Sequence, residues 1–188
     1  MVWKKEVRRV RDRQAAWIGS RLYQEGLVTA NFGNLSYRHG EGFYIKRKGE
    51  YLDPLGDLVF VPLDGEVPAD ASWEWIVHRA IYCETPHQAI IHAHPVHAIA
   101  ISFGVDEVLP QDCEGELVCP RIPVVTGASG STELAQNVAA ALADAPVVIV
   151  RGHGTFAAAS TLEGAYVATS AVEHACRILL LLKGIQNR

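Results

Sequence analysis

The stretch AIIHAHPVHAIAIS, from Ala89 to Ser102, sets His92, His94 and His97 within six residues of an otherwise apolar run. On an extended strand, side chains alternate between faces, so His92 and His94 share one side and Ala93 takes the other. Their Cα atoms then lie about 7 Å apart, close enough for both rings to converge on one ion. In VVIVRGHGTF, His153 follows a short apolar run and stands between Gly152 and Gly154. Glycine lets a chain turn sharply and keeps bulk away from the imidazole. Any one of these histidines alone reads as a core residue with a ring nitrogen on a carbonyl. Together they read as a metal site, because close buried imidazoles without an ion are hard to satisfy. Three neutral imidazoles and an open position suit a catalytic zinc or another divalent cation, at about 2.0–2.1 Å from each nitrogen. His97, beyond Pro95, is expected to line the pocket or support a ligand.

The third piece is SWEWIVHRAIY. Glu74 is expected in the first turn of a helix, with His78 one turn later on the same face. An acid there complements the helix dipole. Beside a metal it would instead ligate the ion or move protons. The segment lacks the HExxH spacing of a zinc protease.

These side chains need elements to carry them. A helix is expected over about Glu6–Glu25, with Val7, Val10, Trp17, Ile18 and Leu22 on its apolar stripe and Gly26 as its stop. Short β-rich runs follow at Leu35–Arg38, Gly42–Lys46 and Leu58–Pro62, with HGEG as a hairpin turn. The helix bearing Glu74 is expected to be capped by Asp70 or Ser72 and limited by Pro86. AIIHAHP reads as a buried strand, VHAIAISFG as a short helix and RIPVV as a strand. GSTELAQNVAAALADAP reads as a helix capped by Ser131 or Thr132, VVIV and TFAAAS as strands, and the last 25 or so residues as a long helix. The pattern predicts one domain over residues 1–188: α/β, with a mixed or antiparallel sheet covered by helices.

With 49% apolar and 20% charged residues, a chain of 188 residues can bury a core. A net charge of −4 argues against nonspecific nucleic-acid binding. No run of 18 apolar residues suggests a membrane span. The opening MVWKKEVRRVRDRQAAW lacks the apolar stretch of a signal peptide, which places the chain in the cytoplasm. The four cysteines form no CxxC pair and read as free thiols.

GNLS at Gly33–Ser36, SWEW, HAHP at His92–Pro95, GSTEL at Gly130–Leu134 and RGHGTFAAASTLEGAYVATSAVEH together resemble the class II aldolase and adducin family, above all its fuculose-phosphate aldolases. The resemblance runs in order along nearly the whole chain. It implies a three-layer α/β/α fold around a mainly antiparallel sheet, in a homotetramer with active sites at subunit interfaces. It places the metal ligands on His92, His94 and His153, and the acid/base carboxylate on Glu74. It places the phosphate-binding groups on Gly33, Asn34, Gly49 and Ser72. The implied reaction is cleavage of a ketose 1-phosphate, fuculose 1-phosphate by default, to dihydroxyacetone phosphate and an aldehyde. That cleavage leaves an enediolate, whose charge a divalent cation stabilises. In the reverse direction a carboxylate must remove the proton α to the carbonyl.

Two departures bear on this. Where the family usually shows a TPSG-like phosphate loop, this chain has Lys46-Arg47-Lys48-Gly49. That run reads either as a solvated basic turn or as a loop in which Lys48 supplies charge for the phosphate. The family tyrosine that protonates the leaving oxygen falls near Glu114, where no tyrosine stands, and Asp112, Glu114 and Glu116 are the local candidates. Trp73, in place of a serine, narrows the pocket or joins the core. Within the family a methylthioribulose-1-phosphate dehydratase or a pentulose-phosphate 4-epimerase would use the same platform. A non-catalytic adducin-like assembly module would dispense with the ligands.

Overall fold

The computed structural model describes residues 2–186. Eight strands form one sheet: β1 Asn34–His39, β2 Gly42–Ile45, β3 Val59–Pro62, β4 Ala89–Ala93, β5 Glu107–Val108, β6 Ile122–Val125, β7 Val147–Val150 and β8 Gly154–Ala159. Six helices accompany them: α1 Val2–Gln24, α2 Trp75–Glu84, α3 Val96–Ser102, α4 Cys113–Val118, α5 Thr132–Ala141 and α6 Leu162–Gln186. The strand order is β3-β2-β1-β4-β8-β7-β6-β5. Only β6 and β7 run parallel; the other neighbours are antiparallel. The expected mainly antiparallel sheet between helices is therefore the fold, and the sheet is open.

Alternation along the central strands builds two cores. Leu35, Ile91, Val147, Ile149 and Ala157 face α1, α3 and α6, meeting Ile18, Leu22, Ile101, Ala165 and Val172. Phe43, Ile45, Ile90, Val148 and Phe156 face α2 and α5, meeting Val77, Ile81, Leu134 and Val138. Strands buried on both faces read as continuous apolar runs, which is why VVIV and AII lack polar alternation. β4 lies inside the sheet between β1 and β8, so the strand carrying His92 cannot shift without breaking two ladders.

Several local expectations change. The buried stripe of α1 runs through Ala15, Ile18 and Leu22, while Val10 and Trp17 are about half exposed. Next to this stripe the helix lies close to the loop between β2 and β3: a Cβ on Gly19 would meet the Leu52 carbonyl. α2 begins at Trp75, later than a cap at Asp70 or Ser72 would place it. Glu74 is its N-cap residue, with no side-chain cap bond, and neither Asp70 nor Ser72 fills that role. Ser131 does cap α5, accepting from the Leu134 N–H. The acids at 112–116 do not form an open turn. Asp112 caps the six-residue α4, which packs on α6. The stretch Leu162–Ile185 of α6 is long and apolar enough to cross a membrane by length and composition. In the fold it lies on the sheet, with Ala165, Ala168, Val172 and Cys176 in the core.

Behind β1 and β2 sits a buried polar chain. The Ser36 hydroxyl lies 2.7 Å from His78 Nδ1 and 2.8 Å from the Tyr82 hydroxyl. Burial lowers the His78 pKa from 6.5 to about 3. The unfolded chain therefore takes up this proton first as pH falls. The stability His78 contributes as a neutral ring is full above pH 6.5 and declines between 6.5 and about 3. The slope from one such group is at most about 1.4 kcal/mol per pH unit. Denaturant unfolding between pH 7 and pH 5, with chelator present, should show a shallower pH dependence for His78→Leu than for the parent; equal slopes would refute the assignment.

Candidate active site

β4 delivers His92 to the α2–α5 face of the sheet, opposite Asn34 of β1 and Phe156 of β8. Its ring stacks on Phe156 with centroids 4.2 Å apart, and its Nδ1 lies 3.0 Å from the Thr155 carbonyl. A carbonyl only accepts, so Nδ1 carries the proton and Nε2 presents a lone pair. β4 ends at Ala93, one residue short of His94. His94 is held instead by its N–H on the Leu27 carbonyl at 2.8 Å and by Phe32, stacked at 5.8 Å.

His153 comes from the turn joining β7 and β8. Gly152 adopts φ +68, which lets the chain reverse within that turn. Gly154 is needed for space: a Cβ there would lie 2.2 Å from the Ala93 carbonyl oxygen and 2.9 Å from the His94 ring. The two glycines flanking His153 thus have separate reasons, one conformational and one steric.

The ligand atoms of His92, His94 and His153 all lie within 4.8 Å of one another. Nε2 of His92 and of His94 are 3.0 Å apart. Burial, then the neighbouring imidazoles, drives the His92 pKa far below its usual 6.5. Burial, then His153 and Lys46, lowers that of His94 to about 4. Both rings are neutral at pH 7, as metal-ligating imidazoles must be. The Thr155 carbonyl fixes the tautomer of His92, a common partner of a metal-bound histidine. The donor set therefore fits a divalent cation.

A cavity of about 440 Å³ opens above these rings, and the nine residues assigned to metal, proton transfer and phosphate line it. They are the three histidines, Glu74, and Gly33, Asn34, Lys48, Gly49 and Ser72. Glu74 is 5% exposed. Its Oε1 accepts a 2.5 Å hydrogen bond from the Ser129 hydroxyl, and its buried Oε2 has no partner among the described residues.

Within the basic run at 46–48, Lys48 is exposed while Lys46 is not solvated. Lys46 is 3% exposed, its ammonium donating to the carbonyls of Asn31 at 2.7 Å and Glu50 at 2.5 Å. Burial lowers its pKa to about 8, with Glu50 opposing. Arg47 pairs with Asp70. Lys48 Nζ lies 3.7 Å from the centre of the Trp73 ring. Trp73 itself is 69% exposed at the cavity, so it narrows the mouth and takes no part in the core.

Sequence reasoning missed Asn31, Phe32 and Ser129, which also line the cavity. Only Phe32 carried a signal, as an aromatic beside the glycine of GNLS. His97 is a correction. It lies outside this cavity, its Nδ1 2.6 Å from Glu173, whose carboxylate also accepts from the His97 and Ala98 N–H groups. Asp112, Glu114 and Glu116 do not line the cavity either, because α4 sits on the opposite face of the sheet.

Comparison with known proteins places this arrangement in context. Residues 13–180 match the class II aldolase and adducin N-terminal domain. The chain is 36% identical to the solved L-fuculose-1-phosphate aldolase of Thermus thermophilus, with a TM-score of 0.90, covering 92% of this chain and 94% of the other. It is 29% identical over 170 residues to an L-fuculose phosphate aldolase of Methanococcus maripaludis, covering 88% of this chain and 93% of that protein. It is 29% identical over 172 residues to that of Escherichia coli K12, covering 86% and 79%. The match spans β1 through most of α6 and includes every element that carries the histidines and Glu74. The chain belongs to the class II aldolase and adducin family.

Proposed function

We propose that this chain is a metal-dependent aldolase that cleaves a ketose 1-phosphate, fuculose 1-phosphate by default, into dihydroxyacetone phosphate and an aldehyde. The observation that carries the reading is the convergence of three imidazoles beside a buried carboxylate with one uncommitted oxygen. His92, His94 and His153 would hold the ion, zinc being the expected one. When bound, it supplies positive charge where the enediolate oxygens develop theirs.

The chain's own groups account for the rest. Gly33, Asn34, Lys48, Gly49 and Ser72 would hold the phosphate, with Lys48 leaving the Trp73 face to meet it. Lys46 stays committed to two carbonyls and fixes the loop from Arg47 to Gly49 against Asn31. Glu74 would take the proton from the carbon α to the carbonyl of dihydroxyacetone phosphate, and return it in the cleavage direction.

The relatives' fuculose-phosphate aldolase activity supports the same substrate class. We further propose that the chain works in the cytoplasm as a homotetramer, with sites at the subunit interfaces. The exposed apolar side chains Phe103, Leu117 and Val96 support an assembly that covers them.

Three outcomes test this reading. His94→Ala should lose both bound metal and activity, because two imidazoles hold a divalent ion poorly; stoichiometric metal in that variant would contradict the ligand set. Glu74→Gln should keep its metal and lose about 10²–10⁴-fold in solvent exchange of the α proton of dihydroxyacetone phosphate, followed by NMR. Undiminished exchange would exclude Glu74 as the base, and turnover of a ketose phosphate without carbon–carbon cleavage would favour the dehydratase or epimerase. Analytical ultracentrifugation should give four times the chain mass, and a monomer at micromolar concentration would overturn the assembly.

A further inference from the structure

We infer that Ser129 is a positioning residue for the Glu74 carboxylate, fixing the orientation of its plane at the cavity wall. The inference rests on the proposed role of Glu74 as base. Ser129 lies in the loop between β6 and α5 and lines the same cavity as Glu74. Its hydroxyl is 2.5 Å from Oε1. An ionised carboxylate only accepts, so Ser129 is the donor. Oε2 is left buried and without a partner among the described residues.

The terminal torsion of a glutamate is broad and roughly two-fold, so an untethered carboxylate would present either oxygen over a range of angles. One hydrogen bond to Oε1 removes that freedom and holds Oε2 in place.

The loop is itself held. Asn137 of α5 donates to the Thr126 carbonyl at 2.9 Å, the Ser131 N–H donates to the Ala128 carbonyl at 3.0 Å, and the Ser131 hydroxyl caps α5. α5 packs on α2 through Leu134 and Val138 against Val77 and Ile81. Glu74 is the N-cap residue of α2. Base and positioning hydroxyl thus ride at the starts of two helices packed together, and their separation is set by that packing rather than by loop flexibility.

In the proton transfer, the C–H bond α to the carbonyl breaks, an O–H bond forms on the Glu74 carboxylate and the electron pair passes into the enediolate. The Ser129 proton stays on its own oxygen and continues to donate to Oε1.

The test compares the parent with Ser129→Ala, Ser129→Thr and Glu74→Gln, all zinc-loaded, for solvent exchange of dihydroxyacetone phosphate, with metal content measured alongside. Ser129→Ala should lower kcat about ten-fold with KM within about two-fold and full zinc content. Ser129→Thr should restore most of the rate, since Ser129 is exposed and a methyl has room. Exchange at the parent rate in Ser129→Ala, with Glu74→Gln silent, would overturn the inference alone. So would a loss that threonine does not rescue. A parent that fails to exchange, or a Glu74→Gln variant that exchanges normally, would overturn the underlying role of Glu74 and the inference with it.

Discussion

Three imidazoles meeting at one cavity, two of them held uncharged by burial, are the constraint on which this structure turns. His92 Nε2 and His94 Nε2 stand 3.0 Å apart, and the proton of His92 is already committed to the Thr155 carbonyl. Two lone pairs at that distance repel unless a proton or a cation lies between them. Burial keeps the rings from taking the proton near neutral pH, because desolvation holds the His92 and His94 pKa values low. A divalent cation resolves the conflict without adding a titrating charge.

The surrounding fold can be understood as what holds those rings. β4 is paired on both sides, so the register Asn34↔His92↔Phe156 is fixed twice. The β7–β8 turn brings His153 in from the neighbouring hairpin, and Gly154 lets that hairpin approach the Ala93 carbonyl. Phe156 beneath His92 and Phe32 beside His94 keep the rings oriented. On the far side, α2 and α5 present Glu74 and Ser129 to the same space. The basic loop after β2 supplies cations at the cavity wall, one buried and fixed, one resting on Trp73.

Much of this was legible in the sequence, for identifiable reasons. Strand parity alone put His92 and His94 on one side, although His94 lies just past the end of β4. The glycines beside His153 announced a tight turn. Joint motifs led to the phosphate-loop positions, all of which line the cavity. What escaped depended on partners distant in the chain. Ser129 is 55 positions from the carboxylate it touches, and nothing local marks it. Lys46 looked like a solvated charge because its two carbonyl partners belong to turns that only the fold brings together. His97 looked like part of the site by proximity, but its partner Glu173 lies on α6. β5 and α4 are too short to leave a period, and on α1 the buried face keeps Ile18 and Leu22 but leaves Val10 and Trp17 about half exposed.

Anomalous X-ray scattering from crystals of the zinc-loaded protein tests the metal site most directly. One peak per chain is predicted, at about 2.0–2.1 Å from nitrogens of His92, His94 and His153, with Glu74 facing the same space. Rings turned apart, each bonded to a carbonyl neighbour with no peak among them, would contradict it.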